Sequence, residues 1–182
     1  MPINLPTGIT LRAVTFWYPA THLGITDWPA TLAGLFDEDL RPARRLLAGA
    51  DSRPARTLLA APADGDPTWC AGGPLRLLDI AATSAIAARQ AGTRHDTWSA
   101  TGRIGTRRPR PFESALLRAG RSDYVTYYSL RQLVGDALII MGTGAYLYPQ
   151  DSSPQALVDH VRQATLQVAD ADPDDVLVTV AA

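Results

Sequence analysis

The stretch Ser153-Pro154-Gln155-Ala156-Leu157-Val158-Asp159-His160-Val161-Arg162-Gln163-Ala164-Thr165-Leu166-Gln167-Val168, followed beyond Asp175 by Val176-Leu177-Val178-Thr179-Val180, decides the fold class. Ser153 has the side chain of a helix N-cap, and Pro154 suits a first helical turn, where a missing N–H costs nothing. Leu157, Val158, Val161, Ala164 and Val168 recur at helical spacing and form one apolar stripe, with Leu166 on the opposite, polar side. Val176, Val178 and Val180 alternate with the period of a strand. Just upstream, Ala137 to Met141 and Ala145 to Pro149 flank Gly142-Thr143-Gly144, which reads as a three-residue hairpin turn or as a bulge in one long strand. Strand, helix and strand in that order predict a right-handed parallel crossover at the C-terminal end.

Working outward, residues 8 to 18 are rich in β-branched and aromatic types and end at Pro19, which predicts an opening strand. Two short helices are expected next, one capped by Thr26 or Asp27 and one capped by Asp39, containing Pro42 and stopped by Gly49. Thr57 to Ala61 and Thr68 to Ala71 flank Pro62-Ala63-Asp64-Gly65-Asp66-Pro67, which has hairpin-turn chemistry. Leu77 to Arg89 carries apolar residues on every side and predicts a buried helix. His95 to Ile104 alternates Thr97, Ser99 and Thr101 against Trp98, Ala100 and Ile104 and predicts a strand. Phe112 to Ala119, with early Glu113, late Arg118 and following Gly120, predicts a helix. Tyr124 to Val134 has strand-forming residues inside helix punctuation, and the reading favours a helix.

These elements define an α+β (mixed α/β) fold. The expectation is a single-layer mixed sheet with helices packed against it, closed by the C-terminal strand-helix-strand unit, in one domain over residues 1–182. The order strand, two helices and hairpin is similar to the start of acyl-CoA-dependent N-acetyltransferases over less than half the chain. The Arg/Gln-x-x-Gly-x-Gly/Ala motif of that family is missing, and no functional residue carries across.

Composition narrows the chemistry. The chain has no Lys, so all 17 basic residues are Arg, a bias that fits GC-rich coding of the kind found in many bacteria. Schiff-base and phosphate-loop lysines are thereby excluded. Cys70 is the only cysteine, so no intramolecular disulfide can form and a cytoplasmic location is expected. The N-terminus lacks the pattern of a secretory signal, and no apolar run is long enough to span a bilayer as a helix. A formal net charge of -1 argues against nucleic acid as the partner.

Charge is nevertheless segregated. Arg103, Arg107, Arg108, Arg110, Arg118 and Arg121 face only Glu113 in their segment, whereas the chain from Asp151 onward has six Asp against Arg162. The loop Arg103 to Arg110 leads into a predicted helix N-terminus, where guanidinium forks and free N–H groups can hold a phosphate or carboxylate. The same segment could pair with the acidic end of its own chain or of another copy.

No coherent catalytic set is visible. Cys70 with His95 and Asp96 has the parts of a nucleophilic triad, but a lone Cys beside Trp69 reads as a small buried hydrophobe. His22, His95 and His160 lack metal-ligand spacing, Asp64-Gly65-Asp66 reads as a turn, and no metal or cofactor is expected. The favoured function is therefore a non-catalytic interaction or self-associating domain using Arg103 to Arg121, with Leu166, Tyr127 and Tyr128 at an interface. The alternative is an enzyme holding a phosphorylated or carboxylated small molecule with Arg107, Arg108 and Arg110, and nucleic-acid binding ranks third. Convergence of those three arginines on a concave, largely apolar surface would favour the small-molecule reading.

Overall fold

The first strand, β1 (Ala13–Tyr18), is the centre of the sheet because its residues can be buried on both faces. The computed structural model describes residues 11–21, 41–50 and 68–181. In chain order the further elements are β2 (Arg41–Pro42), β3 (Leu46–Leu47), β4 (Trp69–Cys70), β5 (Gly72–Pro74), α1 (Ile80–Thr101), α2 (Pro111–Ala119), α3 (Arg121–Val134), β6 (Ala137–Ile140), β7 (Ala145–Leu147), α4 (Pro154–Ala169) and β8 (Val176–Ala181).

The main sheet runs β2-β8-β1-β6-β7, with β5 also pairing to β8; β3 and β4 form a separate two-stranded ribbon. β1 is antiparallel to β8, from Ala13 opposite Ala181 to Tyr18 opposite Val176, and parallel to β6, with Val14 opposite Ala137. β6 and β7 form a hairpin, the first of the two readings of this stretch, and not one bulged strand; Gly142 and Gly144 have positive φ and the Thr143 hydroxyl donates to the Ile140 carbonyl. Because β7 is antiparallel to β6, it runs parallel to β8, so α4 connects two parallel strands with β6 and β1 between them. The C-terminal strand-helix-strand unit is present, and Ser153 caps α4 by accepting from the Ala156 N–H.

The four described helices lie against the sheet face that carries Leu138 and Leu177, and Leu116, Leu133, Val158 and Val161 fill the layer between. Val14, Tyr18, Val176, Val178 and Val180 form a second cluster on the other face. Thr15 and Thr179 are buried on the helix side of the central strands, and their hydroxyls donate to the Leu133 carbonyl and to the Ala43 carbonyl respectively, so neither leaves an unsatisfied group.

Several expectations change. The segment His95 to Thr101 is helical, not a strand, and α1 runs 22 residues to a C-cap at Gly102. Thr93, Thr97 and Thr101 each turn a hydroxyl back onto the carbonyl four residues earlier, so the alternation of polar residues is a surface pattern on a helix. The same helix is not buried all round: Thr83, Ala87, Ala91, Gly92 and His95 make one buried stripe. The helix expected to follow Asp39 is replaced, where described, by β2 and β3. Thr68 to Ala71 does pair, but β4 joins Leu46–Leu47. The first short helix, Thr57 to Ala61 and the Asp64-Gly65-Asp66 turn lie outside the described residues. The order on which the acetyltransferase similarity rested is therefore not seen in the described part.

Candidate functional site

The site begins with Gly135 and Asp136, the two residues that connect α3 to β6. Gly135 has a φ of 72°, and a Cβ there would lie 2.6 Å from the Ala13 carbonyl oxygen, so glycine lets the α3 end close onto the start of β1. That approach sets Asp136 beside the first residues of β1. Its Oδ2 accepts from the Arg12 N–H at 2.8 Å and the Ala13 N–H at 3.0 Å, and its own N–H donates to the Ala13 carbonyl. Arg131, in the last turn of α3, grips the same carboxylate with Nε–Oδ1 at 2.5 Å and Nη2–Oδ2 at 2.8 Å, and the Tyr127 hydroxyl lies 3.3 Å from Oδ1.

Burial alone would raise the Asp136 carboxyl, but the hydrogen bonds and charge of Arg131, with the Arg12 N–H, outweigh it and hold the group below the ordinary carboxylate range. For Arg131 burial works to lower the guanidinium and the bond to Asp136 overrides it, keeping it fully charged. Arg45 comes from the loop before β3 and donates Nη2 to the Arg131 carbonyl, at the negative end of α3. Its Nη1 is buried with no hydrogen-bond partner among the described residues. Burial, and next the neighbouring Arg131 charge, pull the Arg45 guanidinium down to about 10, so it remains a cation at neutral pH.

Arg12, Ala13, Arg45, Tyr127, Arg131 and Asp136 line a cleft of about 970 Å³, a size suited to a small ligand. One wall is the first part of α2: Arg110, Pro111, Phe112, Glu113 and Ala115. Tyr127 and Tyr128 of α3, Leu157 of α4, and Ala13, Ala43, Val180 and Ala181 at one end of the strands add a largely apolar lining. Phe112 is 40% exposed and meets Tyr127 edge-on at 5.9 Å. Among the described residues five arginines, Arg12, Arg45, Arg107, Arg110 and Arg131, share this surface with two carboxylates, Glu113 and Asp136. Each carboxylate is already engaged by one arginine. Arg107 holds Glu113 through two bonds of 2.6 and 2.7 Å, and that pairing is the main reason the Glu113 carboxyl lies below its ordinary range.

Of the six arginines singled out in the sequence, Arg107 and Arg110 line the cleft. Arg103, Arg108 and Arg118 are exposed, away from it, and make no ion pair with a carboxylate among the described residues. Arg121 pairs with Asp96 of α1 at 2.8 Å. Among the described residues the acidic C-terminal segment does not neutralise the basic one: Asp174 pairs with Arg76, Asp159 accepts from Gln155, and Asp175 accepts from the Trp17 indole and the Ala20 N–H. Tyr127, expected at an interface, is only 2% exposed and belongs to the cleft with Tyr128; burial raises both phenols, so they stay protonated and act as donors. Leu166 is 67% exposed on α4.

The residues missed from sequence are Arg12, Arg45, Arg131 and Asp136. Cys70 and His95 do not assemble into a triad: Cys70 pairs with Leu46 across the ribbon, its thiol pushed up to about 11 by burial, while the His95 ring packs against Trp98 and Tyr124. Among the described residues no three His, Cys, Asp or Glu side chains could together hold a metal ion, and no helix is long and apolar enough to cross a membrane. No family model, curated protein or solved structure matches this chain at a significant level.

Proposed function

We propose that this chain is a cytoplasmic binding domain for anionic small molecules, carboxylates or phosphate monoesters, taken up in the cleft between α2, α3 and the strand ends of β1 and β8. The observation that carries the reading is the excess of arginine over carboxylate among the described residues of a concave, largely apolar surface. Guanidinium groups recognise the oxygens of carboxylates and phosphates through paired N–H donors, and a site that excludes water strengthens each such contact. The cleft lining among the described residues offers phenol donors and cations, and each of its two carboxylates is held by an arginine, which favours binding as the role.

Thermal unfolding with phenyl phosphate, benzoate and inorganic phosphate, against neutral benzyl alcohol at matched ionic strength, tests this. An anion present at a hundredfold excess over its Kd should stabilise the fold by about 2.7 kcal/mol. For a chain of this size each kcal/mol raises Tm by about 2–4 °C. Equal shifts with benzyl alcohol, or no shift with any anion, would remove the reading.

A second reading is self-association, supported by the exposed Arg103, Arg108 and Arg118, which make no ion pair among the described residues, and by the exposed Leu166. A head-to-tail contact between the basic segment of one copy and the acidic segment of the next would loosen as salt screens it. Sedimentation velocity at low and high salt should then show a larger species at low salt that dissociates at high salt. A monomer at both would exclude it.

A further inference from the structure

We infer that the anion seat of the cleft is the Arg45 guanidinium, and that it takes one carboxylate or phosphate-monoester group from a ligand whose apolar body lies against Phe112, Tyr128 and Leu157. This deepens the proposed anion-binding role and rests on it. The five cleft arginines are not equivalent. Arg107 is committed to Glu113 and Arg131 to Asp136, each through two hydrogen bonds. Arg12 and Arg110 have exposed side chains whose charge is hydrated and screened.

Arg45 differs from all four. Its Nη2 donates to the Arg131 carbonyl, and its Nη1 is buried with two N–H donors and no acceptor among the described residues. The carboxylate nearest in the network is no help to it. Asp136 already receives Arg131 Nε and Nη2, the N–H groups of Arg12 and Ala13, and the Tyr127 hydroxyl, which exhausts the roughly four acceptor positions of a carboxylate. A buried donor on a cation with nothing to bond is costly to the free protein, and an incoming anionic oxygen removes that cost. Phe112, exposed at the same cleft, supplies apolar surface that only a ligand with an apolar part would use.

The test is a titration of protein labelled with 15N-arginine, following guanidinium resonances while phenyl phosphate, benzoate or inorganic phosphate is added. Binding should shift the Arg45 resonances saturably and slow their exchange with water, with smaller changes at Arg110. Arg45→Lys should weaken phenyl phosphate by about tenfold or more and Arg110→Ala by less than about threefold, given that one kept cation differs from one lost rigid fork. If Arg45→Lys does not fold, the wild-type titration decides alone. Saturable binding with the Arg45 resonances unmoved, as a resident water on Nη1 would give, overturns this seat and leaves the cleft as an anion site. Inorganic phosphate binding as tightly as phenyl phosphate overturns the apolar-body assignment. No binding of any probe to the wild type overturns the cleft reading with it.

Discussion

Replacing Asp136 by Asn is expected to destabilise the protein by about 3–5 kcal/mol, the range found when one member of a buried ion pair is removed. The size of the effect comes from what the change strands. Arg131 and Asp136 are both largely buried, and the carboxylate also holds the first N–H groups of β1, so a neutral amide in its place would leave the Arg131 and Arg45 cations close together without a counter-charge. Urea unfolding should show a lower midpoint at an unchanged m-value. The double change Arg131→Met with Asp136→Asn should cost less than the sum of the two single changes, because the stranded charge is gone. Additive costs would mean that the pair is not coupled as its geometry implies. The acid limb should change as well. A carboxyl held below its ordinary range adds stability that is complete above about pH 4 and is lost as pH falls through the native value, and the Asp136→Asn protein would not show that loss.

The second large effect is a loss of stability in mild acid from His160. This side chain of α4 is 5% exposed, and burial pushes its imidazole down to about 4, against the opposing influence of the Asp136 charge and a hydrogen bond to the Gly135 backbone. Its Nε2 is buried without a partner among the described residues, so an added proton there would be unsupported. The unfolded chain takes up that proton near pH 6.5 and the native one only near 4, so stability is complete above the first value and falls as pH drops toward the second. At about 1.4 kcal/mol per pH unit the loss across the window amounts to about 3 kcal/mol. His160→Gln should flatten the dependence of unfolding free energy on pH between 6.5 and 4. An unchanged slope in that variant would assign the acid sensitivity to other groups.

How much of this was legible follows from the range of the interactions. α4 carries its own start signal in Ser153 and Pro154 and its own stripe in Leu157, Val158, Val161, Ala164 and Val168, all read locally and all found. The β6–β7 hairpin announces itself through Gly142 and Gly144, and α2 through Pro111 and Gly120. α1 was half read, because Thr97, Ser99 and Thr101 mimic a strand; the buried series Thr83, Ala87, Ala91 and His95, at four-residue spacing, was the signal that extends the helix. β2 to β5 are two or three residues long and owe their conformation to partners far away, as Gly72 to Pro74 do to β8, where a Cβ on Gly72 would lie 1.9 Å from the Leu177 carbonyl oxygen.

The cleft was legible only where it was local. Arg107 and Arg110 stood out because charge is dense between Arg103 and Arg121. Arg45 is joined to Arg131 across 86 residues, and Arg12 to Asp136 across 124, so no window of sequence contains both partners. The basic loop leads to a helix start, whereas the most buried cations of the cleft, Arg131 and Arg45, belong to the end of α3 and the loop before β3.

A crystal structure of the protein soaked in tungstate tests the central claim most directly, since the ion has phosphate-like oxygens and a strong anomalous signal. An ordered tungstate within hydrogen-bond distance of the Arg45 guanidinium, inside the cleft, is the predicted result. Ordered sites only at the outer arginines Arg103, Arg108 and Arg118, with the cleft empty, would contradict it.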